Sequence, residues 1–255
     1  MSVRQQAWRA CYQLLASQVR SPDWAFMNYG YLSTDPVALD ARDEPDRLCI
    51  QLYLEVLAGT PLTGRDLLEV GSGRGGGSAY LHRANSPRST TGLDFSRQAV
   101  RLSERDRSAP GLRFVPGDAQ ALPFPEASFD VVVNVESSHC YDSMPTFLAE
   151  VARVLRPGGV FCFADFRPVS RVEQLAAELR GNGLTFIDED DLTAGVVAAL
   201  RQDDDRKRAL IETLIPRLFR RPFRRFAGIT GTRTFDAFAD GTLRYRRALL
   251  ARPTH

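Results

Sequence analysis

The chain is poor in several residues that would narrow its function. Among 33 basic residues there is one lysine, Lys207. Such a bias follows GC-rich codon usage and expresses no functional demand for guanidinium. The formal net charge is only +2, so the chain as a whole offers no electrostatic footprint for nucleic acid. No apolar run is long enough to span a bilayer, which argues against stable membrane insertion. The N-terminus lacks the basic head, apolar core and small-residue cleavage site of a secretory leader, so a cytoplasmic location is expected. Four cysteines, Cys11, Cys49, Cys140 and Cys162, lack CxxC spacing. That argues against structural zinc and a disulfide framework and reads as reduced, mostly buried thiols. Three histidines are present, and one of them is His255. This scarcity draws attention to His139.

What remains is an ordinary globular composition of 255 residues, 44% hydrophobic and 25% charged, enough for a sizeable core. Residues 5–18, QQAWRACYQLLASQ, predict an amphipathic helix. Residues 22–36 break that pattern with Pro22, Gly30 and Pro36 and are rich in aromatics. EPDRLCIQLYLEVLAG predicts a second helix that stops at Gly59. From Asp66 strands and helices alternate. The expected strands are DLLEV, STTGLDF, LRFVPGD, FDVVVNVES and GVFCFADF, then LTFID and LRYRRALLAR as two closing strands. This predicts an α/β fold with a doubly wound, seven-stranded, mostly parallel sheet. The expected organisation is an N-terminal helical lid (1–45), an α/β core (46–190), a helical lid insertion (191–242) and a final core strand (243–255). The insertion is too long for a simple connection. Within it, RLFRRPFRRF reads as a helix face with Phe219, Phe223 and Phe226 inward. Contact with RNA or anionic lipid, or a place at a substrate mouth, is the alternative.

The loop after the first strand, GSGRGGG, fits two patterns. Gly71, Gly73 and Gly76 satisfy the dinucleotide spacing G-x-G-x-x-G. Glu69, Gly71, Gly73 and Gly75 satisfy E-x-G-x-G-x-G, the spacing of S-adenosylmethionine enzymes. Both need a tight turn, bare backbone near the ligand and a helix N-terminus. Three features separate them. Glu69 would repel a pyrophosphate but suits the ammonium of a methionine moiety. Asp94 ends the second strand where an acid meets ribose hydroxyls, which fits either ligand. In GDAQALPF, Asp118 can accept from an adenine amino group while the Ala119 amide donates, and Phe95 can cover the ring.

Taken together, LLEVGSGRGG, GLDFS, GDAQALPF, FDVVVNVESSHC and LAEVARVLRPGG resemble the successive signatures of class I S-adenosylmethionine-dependent methyltransferases, over roughly residues 46–165. VESSHCY, ADFR and DLTAGVVAAL look most like bacterial natural-product O-methyltransferases, specifically the phthiocerol-lipid and antibiotic-sugar branch. The resemblance implies a Rossmann-like methyltransferase fold and S-adenosyl-L-methionine as cofactor. Glu69, Gly71 and Gly73 would surround its amino-acid tail, Asp94 the ribose, and Asp118 with Ala119 the adenine. Asn134 would lie near the sulfonium, and Tyr29, in FMNYGY, would close over the methionine end.

Methyl transfer from a sulfonium is an in-line displacement in which an alcohol needs a base of near-neutral pKa. His139, just past the fourth strand, is the candidate, with Asp165 at the end of the fifth to fix its tautomer. Glu136 is a second nearby acid that could anchor the loop. The acidic run IDEDD reads as a solvated turn and helix start, so no metal is expected. The expected partner is a bulky, largely apolar small molecule walled by Trp24, Phe26, Tyr29 and Tyr31 with residues 216–226, and no nucleic acid. A C-methyltransferase, a cyclase that keeps the cofactor structurally, an NAD-dependent dehydrogenase and a non-catalytic polyanion binder are the competing readings. Oligomeric state is not legible.

Overall fold

The computed structural model of the protein describes residues 24–254. The helix expected over residues 5–18 lies outside them. Residues 24–43 contain no helix and run as an irregular strap, so no helical lid is found in the described part of this segment. The first helix among the described residues, α1 (Arg47–Leu57), follows a 3-10 turn at Glu44–Asp46 and ends with Ala58 in the left-handed region.

From there the predicted alternation holds: β1 (Asp66–Val70), α2 (Gly76–Asn85), β2 (Ser89–Asp94), α3 (Arg97–Arg107), β3 (Leu112–Pro116), β4 (Phe129–Val135), α4 (Met144–Val154), β5 (Leu155–Pro168), α5 (Val172–Arg180), β6 (Thr185–Asp191) and, after the insertion, β7 (Leu243–Ala251). The seven strands form one sheet in the order β3-β2-β1-β4-β5-β7-β6. β1 to β5 pair in parallel, while β7 runs antiparallel between β5 and β6. Val, Leu and Phe of the inner strands fill two buried clusters, one on each face of the sheet. That is why these strands read as apolar runs rather than alternations. The order reverses between β1 and β4, and this switch point opens a crevice at their carboxyl ends.

Two expectations are corrected here. β5 starts at Leu155, so it takes in RPGG ahead of the expected strand GVFCFADF. The acidic run Asp188–Asp191 is not a solvated turn but part of the edge strand β6. Its charges are matched across the ladder, Asp188 by Arg247 at 2.8 Å and Asp191 by Arg246 at 3.3 Å. Asp191 also starts the next helix by accepting the Thr193 N–H at 3.0 Å.

The insertion holds four helices: α6 (Thr193–Gln202), α7 (Asp204–Leu214), α8 (Arg220–Phe226) and α9 (Arg233–Ala239). Leu200, Phe235 and Phe238 join the sheet core beside Tyr29. Trp24 stacks edge-on against Phe223 at 4.8 Å in a satellite cluster with Ile211 and Ile215. Strap and insertion are therefore packed together over the carboxyl edge of the sheet. Among the described residues no helix is long and apolar enough to cross a membrane.

Candidate active site

The crevice is a cavity walled by the strap, the glycine loop, and the loops after β2, β3 and β4. Its floor is the turn after β1. Gly71 takes φ +80, and its N–H and that of Ser72 both donate to the Leu93 carbonyl, at 2.7 and 2.9 Å. A Cβ on Gly71 would collide with the Ser137 side chain, and one on Gly77 with the Tyr53 ring. Glycine at these two positions lets Ser137 and Tyr53 pack directly against the loop backbone.

Asp94 is 5% exposed at the end of β2. It accepts the Gly73 N–H at 2.9 Å and the Ser96 N–H at 2.8 Å. Burial pushes its pKa up to about 6 against the pull of those two amides. Gly73, Phe95, Asp118 and Ala119 also border the cavity. Phe95 is half exposed at the rim, and Asp118 accepts the Gln120 N–H at 2.9 Å, so it holds its turn and faces the cavity at once.

Two candidates stand elsewhere than expected. Glu69 is buried behind the loop, off the cavity wall. Its oxygens accept from the Tyr53 hydroxyl at 2.5 Å and from the Ser78 hydroxyl, and burial raises its pKa. Tyr53 is the residue that reaches the wall. Asn134 is likewise fully buried and off the wall. Its Nδ2 is shared among the Val70 carbonyl (2.9 Å), Ser137 Oγ (2.7 Å) and the Tyr141 hydroxyl (3.0 Å). It ties the loop after β4 to the end of β1 instead of facing a ligand.

His139 and Asp165 are brought together. Asp165, fully buried near the end of β5, accepts the His139 ring Nδ1–H at 2.8 Å and the His139 backbone N–H at 2.7 Å. The Ser138 hydroxyl donates to it at 2.6 Å and the Phe166 N–H at 2.8 Å, while Arg167 Nη1 lies 3.1 Å away. A carboxylate surrounded by donors fixes the tautomer, so Nε2 is the ring nitrogen left to accept a proton. Burial alone would lower the His139 pKa, but Asp165 and Cys140 together, by charge and hydrogen bonding, outweigh it and raise the value to about 10. Burial opposes ionisation of Asp165 too, yet the His139 and Arg167 cations hold its carboxyl well below the usual range. The imidazole ring rests on Phe166 at 4.4 Å.

Glu136 does anchor a loop, although not its own. It takes the left-handed region at φ +49, where a residue with a side chain is strained. Its Oε1 accepts the Tyr29 backbone N–H at 2.8 Å and the Tyr245 hydroxyl at 3.0 Å. Burial and the neighbouring Asp165 charge push its pKa up to about 8 against the Tyr29 amide. Tyr29, on the wall as expected, is thereby fixed to the end of β4, with its ring between Phe166 and Phe238 at 5.6 and 5.3 Å. Of the other expected aromatics, Phe26 and Phe226 line the cavity, but Trp24 and Tyr31 do not. Trp24 belongs to the satellite cluster, and Tyr31 packs against Gly195. Ser138 and Arg167 carry no motif of their own; only their adjacency to His139 and Asp165 marks them.

The pair should leave a pH signature in stability. A histidine with a raised pKa contributes stability that is complete below about 6.5 and is lost as pH rises through about 10. Asp165, shifted down, contributes above its ordinary value of 3.8 and loses that contribution as pH falls. In urea titrations His139→Gln is expected to cost about 2–4 kcal/mol near pH 6, with the gap to the parent narrowing steadily between about pH 6.5 and about 10. A gap independent of pH would mean that the pair is not charged in the folded state.

Residues 68–163 match a family model described as a methyltransferase domain. The chain is 38% identical, over 96% of its length and 92% of the relative's, to a phthiotriol/phenolphthiotriol dimycocerosates methyltransferase of Mycobacterium leprae. It is 35% identical to a fatty-acid O-methyltransferase of Mycolicibacterium smegmatis, over 99% of this chain and 92% of that one. Among solved structures, the [4+2]-cyclase SpnF superposes with a TM-score of 0.71 at 21% identity, covering 98% of this chain and 96% of the other.

Proposed function

The chain belongs to the class I S-adenosylmethionine-dependent methyltransferases, and on that premise we propose that it methylates a hydroxyl oxygen of a bulky, lipid-like acceptor, with His139 as general base and Asp165 as its partner. The observation that carries the reading is the 2.8 Å contact between His139 Nδ1 and Asp165 beside the glycine loop. An apolar wall of Phe26, Met27, Tyr29, Phe166 and Phe226 supports an acceptor of low polarity. So do the fatty-acid and dimycocerosate enzymes among the relatives. We take the strap and the insertion as the lid over that acceptor.

The residues present fit S-adenosyl-L-methionine. Gly71, Gly73 and Gly77 present bare backbone on the cavity wall, and Asp94 offers a buried carboxylate suited to ribose hydroxyls. Asp118 and the Ala119 amide offer an acceptor and a donor to an adenine edge. When bound, the cofactor supplies an electrophilic methyl group on a positively charged sulfonium. The chain's own task is then to align the acceptor, exclude water and move one proton. His139 Nε2 takes that proton, and Asp165 stabilises the imidazolium that results. With the His139 pKa near 10 the ring is charged before the cavity fills. A cation brought beside it lowers that value, so the ring becomes a base in the loaded enzyme.

The same raised pKa favours a second reading, in which the acceptor is a carboxylate and the imidazolium holds it as a counter-ion. A carboxylate needs no base. The experiment that separates the two is turnover against pH with matched long-chain alcohols and carboxylic acids, following S-adenosylhomocysteine and a product heavier by one methylene. Turnover of an alcohol that rises with pH as His139 loses its proton supports the base. Turnover of acids alone, falling as pH rises through about 10, supports the counter-ion. Consumption of an acceptor at constant mass would contradict both.

A further inference from the structure

The stretch RLFRRPFRRF is only partly used by the fold. From Thr213 to Phe235 there is no acidic residue, yet the same stretch carries six arginines in a chain whose net charge is +2. Two of them serve the structure. Arg220 donates to the Ile215 carbonyl at 2.9 Å, and Arg224 pairs with Glu212 at 2.9 Å. Three of the other four, Arg217, Arg221 and Arg225, follow at intervals of four residues, are all exposed, and make no ion pair or side-chain hydrogen bond among the described residues. They line one ridge, running from the 3-10 turn Arg217–Phe219 into α8. At its tip stands Leu218, 80% exposed, the most exposed large apolar side chain among the described residues. On the opposite face Phe223 is buried in the satellite cluster, so the ridge is rigidly backed. The helix ends at Phe226, on the cavity wall.

We propose that this ridge docks the enzyme on an anionic lipid surface, with Leu218 entering the headgroup layer, so that an acyl-bearing acceptor passes Phe226 into the cavity. The proposal rests on the lipid-like acceptor inferred above. Cations beside a lipid surface are attracted to acidic headgroups, and an exposed leucine between them suits an acyl boundary. Single-stranded nucleic acid is disfavoured, because it needs aromatic rings free to stack. Here Phe223 is buried, Phe219 packs on the satellite cluster and Phe226 faces the cavity.

The test is sedimentation of the full chain with vesicles of phosphatidylcholine alone and of phosphatidylcholine mixed with phosphatidylglycerol. The parent is expected to bind the phosphatidylglycerol vesicles and to release them as salt rises. Replacing Arg217, Arg221 and Arg225 together by glutamine should weaken that binding about 10²-fold. Leu218→Ser should weaken it without changing the salt dependence. Absence of binding to the acidic vesicles, or equal binding by the triple variant, overturns the proposal. Equal displacement from the vesicles by single-stranded RNA also overturns it, because the ridge would then be a general polyanion site. Vesicle binding involves no methyl transfer. Its failure therefore leaves the proposed chemistry standing, and failure of the chemistry leaves vesicle binding to be read on its own.

Discussion

His139→Ala is expected to lower turnover about 10²–10⁴-fold while leaving affinity for S-adenosyl-L-methionine nearly unchanged. The split follows from the geometry. The imidazole is held by Asp165 and Phe166 on the part of the wall we assign to the acceptor, whereas the glycine loop, Asp94, Asp118 and Ala119 line the part we assign to the cofactor. Asp165→Asn should lose nearly as much turnover, since an amide can present a donor to Nδ1 and invert the tautomer. It should also cost stability, because Asp165 accepts the backbone N–H groups of His139 and Phe166 as well. Titration calorimetry with the cofactor and single-turnover rates would separate the two effects. A loss of turnover below about tenfold in His139→Ala would place the base elsewhere or remove the need for one.

Asp94→Ala is expected to weaken cofactor binding about 10²-fold, with any remaining activity recovered at high cofactor concentration. Two losses combine. The carboxylate disappears from the place where ribose hydroxyls are expected, and the Gly73 N–H loses its acceptor at 2.9 Å, which loosens the loop. Asp94→Asn keeps one oxygen for Gly73 and should fall in between. Because burial raises the Asp94 pKa to about 6, affinity of the parent enzyme should also fall as pH drops through that value and the carboxylate is protonated. Unchanged affinity in Asp94→Ala, measured by calorimetry, would remove Asp94 from the nucleoside site.

The parts of the site legible in the sequence are those set by local pattern. Asp94, Asp118, His139 and Asp165 lie at or just beyond carboxyl ends of strands, and strand ends can be read from apolar runs and the residues that stop them. What could not be read depends on which face a strand residue takes and on what packs there. Glu69 turns to meet Tyr53, a residue on α1 whose position across the sheet has no local signal. Asn134 looks like a strand-end ligand, but its amide nitrogen is taken up by three nearby acceptors. Glu136 accepts from Tyr29, 107 residues away. The acids of β6 read as a turn because four carboxylates in a row have poor strand propensity. They pair instead with Arg246 and Arg247 of β7, which inserts beside β6 in the sheet.

The most direct test of the account uses S-adenosyl-L-methionine labelled with carbon-13 in its methyl group and a panel of long-chain alcohols and acids, with carbon NMR of the product. The account predicts a labelled methyl bound to oxygen, as an ether or ester, that is lost in His139→Ala with alcohol acceptors. A labelled methyl bound to carbon, or label that stays on the cofactor while the acceptor changes, would contradict it.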